Sequence, residues 1–144
     1  IIPAVAVDDA DSKELLIRRK DYSIQPNPTL KFSNDVPLFI YFEVYNLTKE
    51  NDNLTDFKQK IIIEKAKDNG HESNLFDDIL SLFGFGSKNK ITLSSNYKTP
   101  ETAPQIYLQL DMSGYEPGEY LITVNITDNN TGKSVSRNGK IIWE

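Results

Sequence analysis

Pro37-Leu38-Phe39-Ile40-Tyr41-Phe42-Glu43-Val44-Tyr45-Asn46-Leu47 is the stretch on which the fold turns. Its even positions from Leu38 to Val44 are all apolar, while the odd positions carry Phe39, Tyr41, Glu43, Tyr45 and Leu47. Side chains two apart share one face of a strand. The alternation therefore predicts a β-strand whose even, largely aliphatic set points into a core.

The same period recurs outward from this segment. In Glu119 to Asp128, Tyr120, Ile122, Val124 and Ile126 fall on one face, and Thr123, Asn125 and Thr127 on the other. Ile106, Leu108 and Leu110 make a third set, and β-branched stretches at Phe57 to Lys65 and Ile91 to Tyr97 add two strands. A last strand is expected from about Ser134 to Trp143.

The turn residues agree with that reading. Asp128-Asn129-Asn130-Thr131-Gly132 is a tight hairpin link, since Asn, Asp and Gly tolerate the left-handed conformations a reversal needs. Asn51-Asp52-Asn53 is a second turn. Gln25-Pro26-Asn27-Pro28 has two residues without amide donors and is expected at an edge or bend. In Ser113-Gly114-Tyr115-Glu116-Pro117-Gly118-Glu119-Tyr120, a Pro-Gly turn feeds a tyrosine at the head of a strand. Two readings fit it: the tyrosine corner of a Greek-key sandwich, or a plain hairpin turn beside a core tyrosine.

The fold expected is all-β: an immunoglobulin-like, Greek-key sandwich of about seven strands. One segment departs from the pattern. Asn74 can cap a helix, and Leu75, Phe76, Ile79, Leu80 and Phe83 follow at helical spacing, predicting a short inserted helix near 75–83. The chain of 144 residues is expected to be a single domain, with residues 1–19 as an N-terminal lead-in or a linker to an upstream domain. It opens Ile1-Ile2-Pro3, which reads as a piece trimmed from a longer polypeptide.

Sixteen basic against 21 acidic residues leave a net charge of −5, which argues against nucleic acid and anionic membrane surfaces as partners. The longest apolar run, Leu38 to Phe42, is far short of the roughly 20 residues of a membrane helix. There are no cysteines, so disulfides, thiolate metal sites and cysteine nucleophiles are excluded.

A search for catalytic chemistry finds little. His71 is the single histidine and sits in the polar stretch Asp68-Asn69-Gly70-His71-Glu72, without the companions of a zinc site. Gly84-Phe85-Gly86-Ser87 lacks the strand and the lysine of a phosphate loop. Asp77 and Asp78 fit a solvated helix face. Asp8, Asp9 and Asp11 hold calcium only if further oxygens converge on them, and they lack the glycine and distant glutamate of an EF-hand. Four Asn-x-Ser/Thr triplets, at Asn46, Asn53, Asn125 and Asn129, are no more than an Asn- and Thr-rich chain produces by chance. No enzyme, cofactor or metal is expected.

The best binding candidate is the odd face of the first long strand: Phe39, Tyr41, Glu43 and Tyr45, with Tyr107 outward on a neighbouring strand. Aromatic rings beside a carboxylate suit a protein interface, where tyrosine is enriched. They equally suit a sugar, which stacks its C–H bonds on ring faces. A third outcome is that the 75–83 helix or an upstream domain covers this face, because large bare aromatic patches are uncommon.

Several of these residues carry a family resemblance. Pro26-Asn27-Pro28, then Phe42-Glu43-Val44-Tyr45-Asn46-Leu47, then Pro117-Gly118-Glu119-Tyr120 with Asp128 closing the strand resemble the C-terminal region of bacterial GWxTD-domain proteins. The resemblance covers roughly residues 20 to 144; the Gly-Trp-x-Thr-Asp signature itself does not occur in the chain. It implies an immunoglobulin-like accessory domain of an exported, envelope-associated bacterial protein, and it carries over no catalytic residue. The function expected is a non-catalytic interaction or assembly module whose partner is another protein or an upstream domain of the same chain. The alternative is a carbohydrate-binding module using Tyr41, Tyr45 and Tyr107.

Overall fold

A computed structural model describes residues 1–9, 17–50, 53–66 and 90–144. It contains ten strands: β1 (Ile2–Asp9), β2 (Ile17–Arg18), β3 (Tyr22–Pro26), β4 (Lys31–Phe32), β5 (Leu38–Glu43), β6 (Thr55–Lys65), β7 (Lys90–Thr99), β8 (Gln105–Leu110), β9 (Gly118–Asp128) and β10 (Ser134–Trp143). They form two five-stranded sheets, ordered β2-β3-β1-β5-β8 and β4-β10-β9-β6-β7. No helix occurs among the described residues, and the helix expected at 75–83 lies outside them.

The sheets share one apolar interior, as the alternation requires. Leu38, Ile40, Phe42, Ile106 and Leu110 from the first sheet join Phe57, Ile61, Ile63, Tyr120, Ile122, Val124, Ile126, Ile141 and Trp143 from the second. The even set of β5 is thus buried, and Val44 follows it inward just past the strand end. At roughly 25 cal/mol per Å², burying side chains of this size contributes about 1.5–3 kcal/mol each, which makes this layer the main source of stability.

The six strands expected from alternation are β5 to β10. The others come from the first 32 residues: within the segment expected as a lead-in, β1 lies inside the first sheet, between β3 and β5. Its ladder to β5 runs Ile2↔Tyr41, Pro3↔Ile40, Ala4↔Phe39, and its ladder to β3 resumes at Ala6↔Gln25 after a bulge. Pro3 disguises the strand in the sequence, yet it sits opposite Ile40 where no donor is required, and its carbonyl accepts from Asn27 N–H at 3.0 Å on the β3 side.

Of the expected edge or bend Gln25-Pro26-Asn27-Pro28, Gln25 and Pro26 end β3 and Asn27-Pro28 opens the bend after it. The Asn27 side chain holds it, donating to Lys31 O at 2.6 Å and accepting from the Thr29 amide and hydroxyl. The chain then crosses to the second sheet, where β4 pairs in parallel with the end of β10. At the other end of β10, the link from Asp128 to Lys133 is the hairpin expected, with Gly132 at φ +72°. There the Asp128 carboxylate accepts from the Thr48 and Asn130 amides.

Candidate functional site

The bulge near Val5 decides what covers the odd face of β5. A bulge bends its strand and adds one residue, so Ile2 and Ala4 before it, and Val7 after it, are all directed to the same outer side. Strands about 4.8 Å apart would place β3 and β8, three positions apart, about 14 Å from one another in a flat sheet. Yet the rings of Tyr22 on β3 and Tyr107 on β8 are 5.0 Å apart, edge to face. That approach, together with the Asp21 backbone amide 3.2 Å from Gln105 Oε1 on β8, lays the β2–β3 end over the outer face of the sheet.

This fold-back makes a second, smaller core of Ala4, Ile24 and Tyr41, with Ile2, Val7, Ile17, Tyr22 and Phe39 packed against it. Polar contacts from the β2–β3 turn pin it down. Arg19 Nε lies 3.0 Å from Glu43 Oε1, the Asp21 amide donates to Gln105 Oε1 at 3.2 Å, and Lys20 reaches Glu101 at 3.0 Å. The question left open by the sequence has a divided answer: the N-terminal segment of the chain covers half of the aromatic face.

The five candidate residues consequently separate. Phe39 is half-buried, and Tyr41 is 1% exposed, so it offers no ring face to a ligand. Tyr45 and Tyr107 remain open, at 63% and 42%. Glu43 is the hub between the covered and uncovered parts. Its carboxylate accepts from the phenols of Tyr41, at 2.7 Å, and Tyr45, and it pairs with Arg19. Burial first, then the hydrogen bond to Glu43 and the carboxylate's charge, hold the Tyr41 phenol well above its ordinary pKa. Glu43 is thus committed to holding its neighbours in place.

Next to Tyr45 the surface opens into a cleft of about 570 Å³, between the end of β5 and the second sheet. Phe42 and Val44 form one wall, Val124, Ile126 and Val135 the other, with Ile1 and Ile2 at one end and Arg19, Glu43 and Arg137 among the polar lining. The cleft exists because the second sheet outruns the first. On β10, Ile141 and Trp143 face inward and are buried. Gly139, Arg137 and Val135 continue the same face, opposite Ile122, Val124 and Ile126. Ile1 covers the position of Gly139, where a Cβ would meet its Cγ2 at 3.6 Å. Val135, further along the same face, is 46% exposed.

Sequence reasoning missed Val135, Arg137, Arg19 and Tyr22. The pattern of β10 held a signal for the first two, because Val135, Arg137, Gly139, Ile141 and Trp143 share one parity. Among the described residues, the cleft lining contains one carboxylate, that of Glu43. Among the described residues no group of three or more His, Asp or Glu is placed to hold a metal ion; Asp11 and His71 lie outside them. No family model, curated protein or solved structure matches the chain.

Proposed function

We propose that the chain is a non-catalytic protein-interaction or assembly module, and that its contact surface is the cleft beside Tyr45. One observation carries the reading: Tyr45 and Val135, two of the four large exposed apolar residues among the described residues, both line one concavity whose walls are core side chains. Tyrosine and arginine around an apolar centre are the composition of protein interfaces. The sugar platform is less well supported, since Tyr41 is covered and the Glu43 oxygens are already engaged.

The scaffold in this reading is immunoglobulin-like. The order β1-β5-β8 opposite β10-β9-β6-β7 parallels the ABE and GFCC′ arrangement, and the links β5–β6 and β8–β9 both cross between the sheets. Tyr120 adds the corner, with its hydroxyl donating to Glu116 O at 2.7 Å. An exported, envelope-associated role belongs to the same proposal and rests on the sequence resemblance around Phe42 to Leu47.

Site-specific photocross-linking in the source organism tests the reading. A photoreactive residue in place of Val135 is expected to give a discrete protein adduct, and one in place of Lys98, on the distant β7, to give none. Adducts of equal yield from both positions, or tight glycan binding that quenches tyrosine fluorescence, would retire it.

A further inference from the structure

The oxidisable side chains of this protein are unequally placed. The sequence has no cysteine, one methionine and one tryptophan. Met112 and Trp143 are both buried inside the sandwich. The large aromatic residues that stand exposed among the described residues are Tyr45 and Tyr107. A one-electron oxidant arriving from solvent at the described surface therefore meets a phenol first.

The two phenols differ in what surrounds them. Tyr45 donates to the Glu43 carboxylate and has no ring neighbour among the described residues. The Tyr107 ring lies 5.0 Å from that of Tyr22, centre to centre, with the planes at 75°. Such an arrangement sets the edge of one ring against the face of the other. The open side of Tyr107 leaves it room to tilt until the two ring edges meet. Tyr22 and Tyr107 stand on β3 and β8, with β1 and β5 between them in the sheet. The fold-back alone makes them neighbours.

We propose that Tyr22 and Tyr107 are the site of an intramolecular dityrosine cross-link, formed when hydrogen peroxide and a haem peroxidase oxidise the exposed phenol. Each phenol gives up one electron and one proton, and the peroxide takes both pairs to become two waters. Tyr22, half-buried, is oxidised through Tyr107 across the ring contact. The two phenoxyl radicals join through their ortho carbons, and the hydrogens displaced from those carbons return to the phenol oxygens. The new bond ties β3 to β8, where ring packing, Lys20–Glu101 and the Asp21 amide on Gln105 otherwise hold the cover in place. It restricts the unfolded chain and locks the cover over Tyr41. The assignment stands apart from the interaction-module reading.

Dilute protein treated with peroxidase and hydrogen peroxide, then digested and mapped by mass spectrometry, tests it. The expected product is a monomer with the blue fluorescence of dityrosine and a peptide pair joined between Tyr22 and Tyr107. Tyr22→Phe and Tyr107→Phe each keep the ring and should abolish that fluorescence in the monomer, with circular dichroism unchanged. Tyr45→Phe should leave it as it was. The linked monomer should unfold at a higher urea midpoint than the untreated protein. Dityrosine found only in dimers, or formed in the monomer through Tyr45, would overturn the assignment. Oxidation of Tyr107 as a single ring, with no link, would overturn it too, because the two rings would then not meet in solution. A linked monomer with an unchanged midpoint would refute the lock.

Discussion

Arg19 Nε and Glu43 Oε1 lie 3.0 Å apart, joining the turn after β2 to the end of β5 over the outer face of the first sheet. The pair marks where the folded-back segment stops and the open cleft begins. Its own energy is modest, because the Arg19 side chain is substantially exposed and such pairs contribute about 0–1 kcal/mol. What holds the fold-back is the apolar layer beneath, where Tyr22 packs edge-on against Tyr41 and Tyr107.

Tyr22→Ala should therefore loosen the fold-back far more than Arg19→Ala does. Two aromatic contacts of about 0.5–1.5 kcal/mol each are lost, along with the cover over Tyr41. Nitration mapped by mass spectrometry reads this directly. In the native protein Tyr45 should react and Tyr41 should not, whereas Tyr22→Ala should bring Tyr41 towards the rate of Tyr45. Equal rates in the unmodified protein would mean that the cover does not form in solution.

Tyr120→Phe isolates the hydrogen bond from Tyr120 to Glu116. Tyr120 is fully buried, and its hydroxyl ties the head of β9 to Glu116, just before Gly118 at φ +149°. Phenylalanine keeps the ring and removes one hydrogen bond, so a loss of about 0.5–1.5 kcal/mol is expected. Urea unfolding should show a lower midpoint with an unchanged slope. A neutral result would mean that the carbonyl finds water instead and that the tyrosine is there for its ring.

The parts of this structure that could be read from the sequence are those governed by periodicity. β5 to β10 alternate cleanly because each buries one face, and Pro117-Gly118 and Asn130-Thr131-Gly132 mark their turns. The first 32 residues escaped for physical reasons. β1 has apolar residues on both faces because it is covered on both, and its bulge shifts the parity halfway. β2 and β4 are two residues each, too short to show a period. Phe39, Tyr41, Glu43 and Tyr45 were legible as one face, but which of them stayed open depended on a fold-back through Tyr22. The cleft was not legible, since it arises from one sheet outrunning the other and not from any local pattern.

Gln59 is a polar side chain at an inward position of β6, fully buried between Phe57 and Ile61. Neither of its amide atoms has a hydrogen-bond partner among the described residues. An unsatisfied buried amide costs about 1–3 kcal/mol. Gln59→Leu, of similar volume, should raise stability by about that amount, visible as a higher urea midpoint. If the substitution destabilises, an ordered water or another group must be satisfying the amide.

Stability should fall towards both extremes of pH, for opposite reasons. Burial raises the phenols of Tyr22, Tyr41 and Tyr120 above their ordinary value, so above a pH of about 10 the unfolded chain releases protons that the folded chain retains. The stability these groups contribute is complete below that pH and drains away as pH rises. Asp128 behaves in reverse. Burial alone would raise its carboxyl, but hydrogen bonds from the Thr48 and Asn130 amides and from Thr131 outweigh it and hold the carboxyl below the ordinary range. Its contribution is complete above a pH of about 3.9 and is lost as pH falls through the depressed value. Urea midpoints measured across pH, with phenolate absorbance followed in parallel, check both limbs. Tyr41→Phe should flatten the alkaline limb and Asp128→Asn the acid one. Phenolate absorbance that appears in full before the chain unfolds would contradict the burial of these tyrosines.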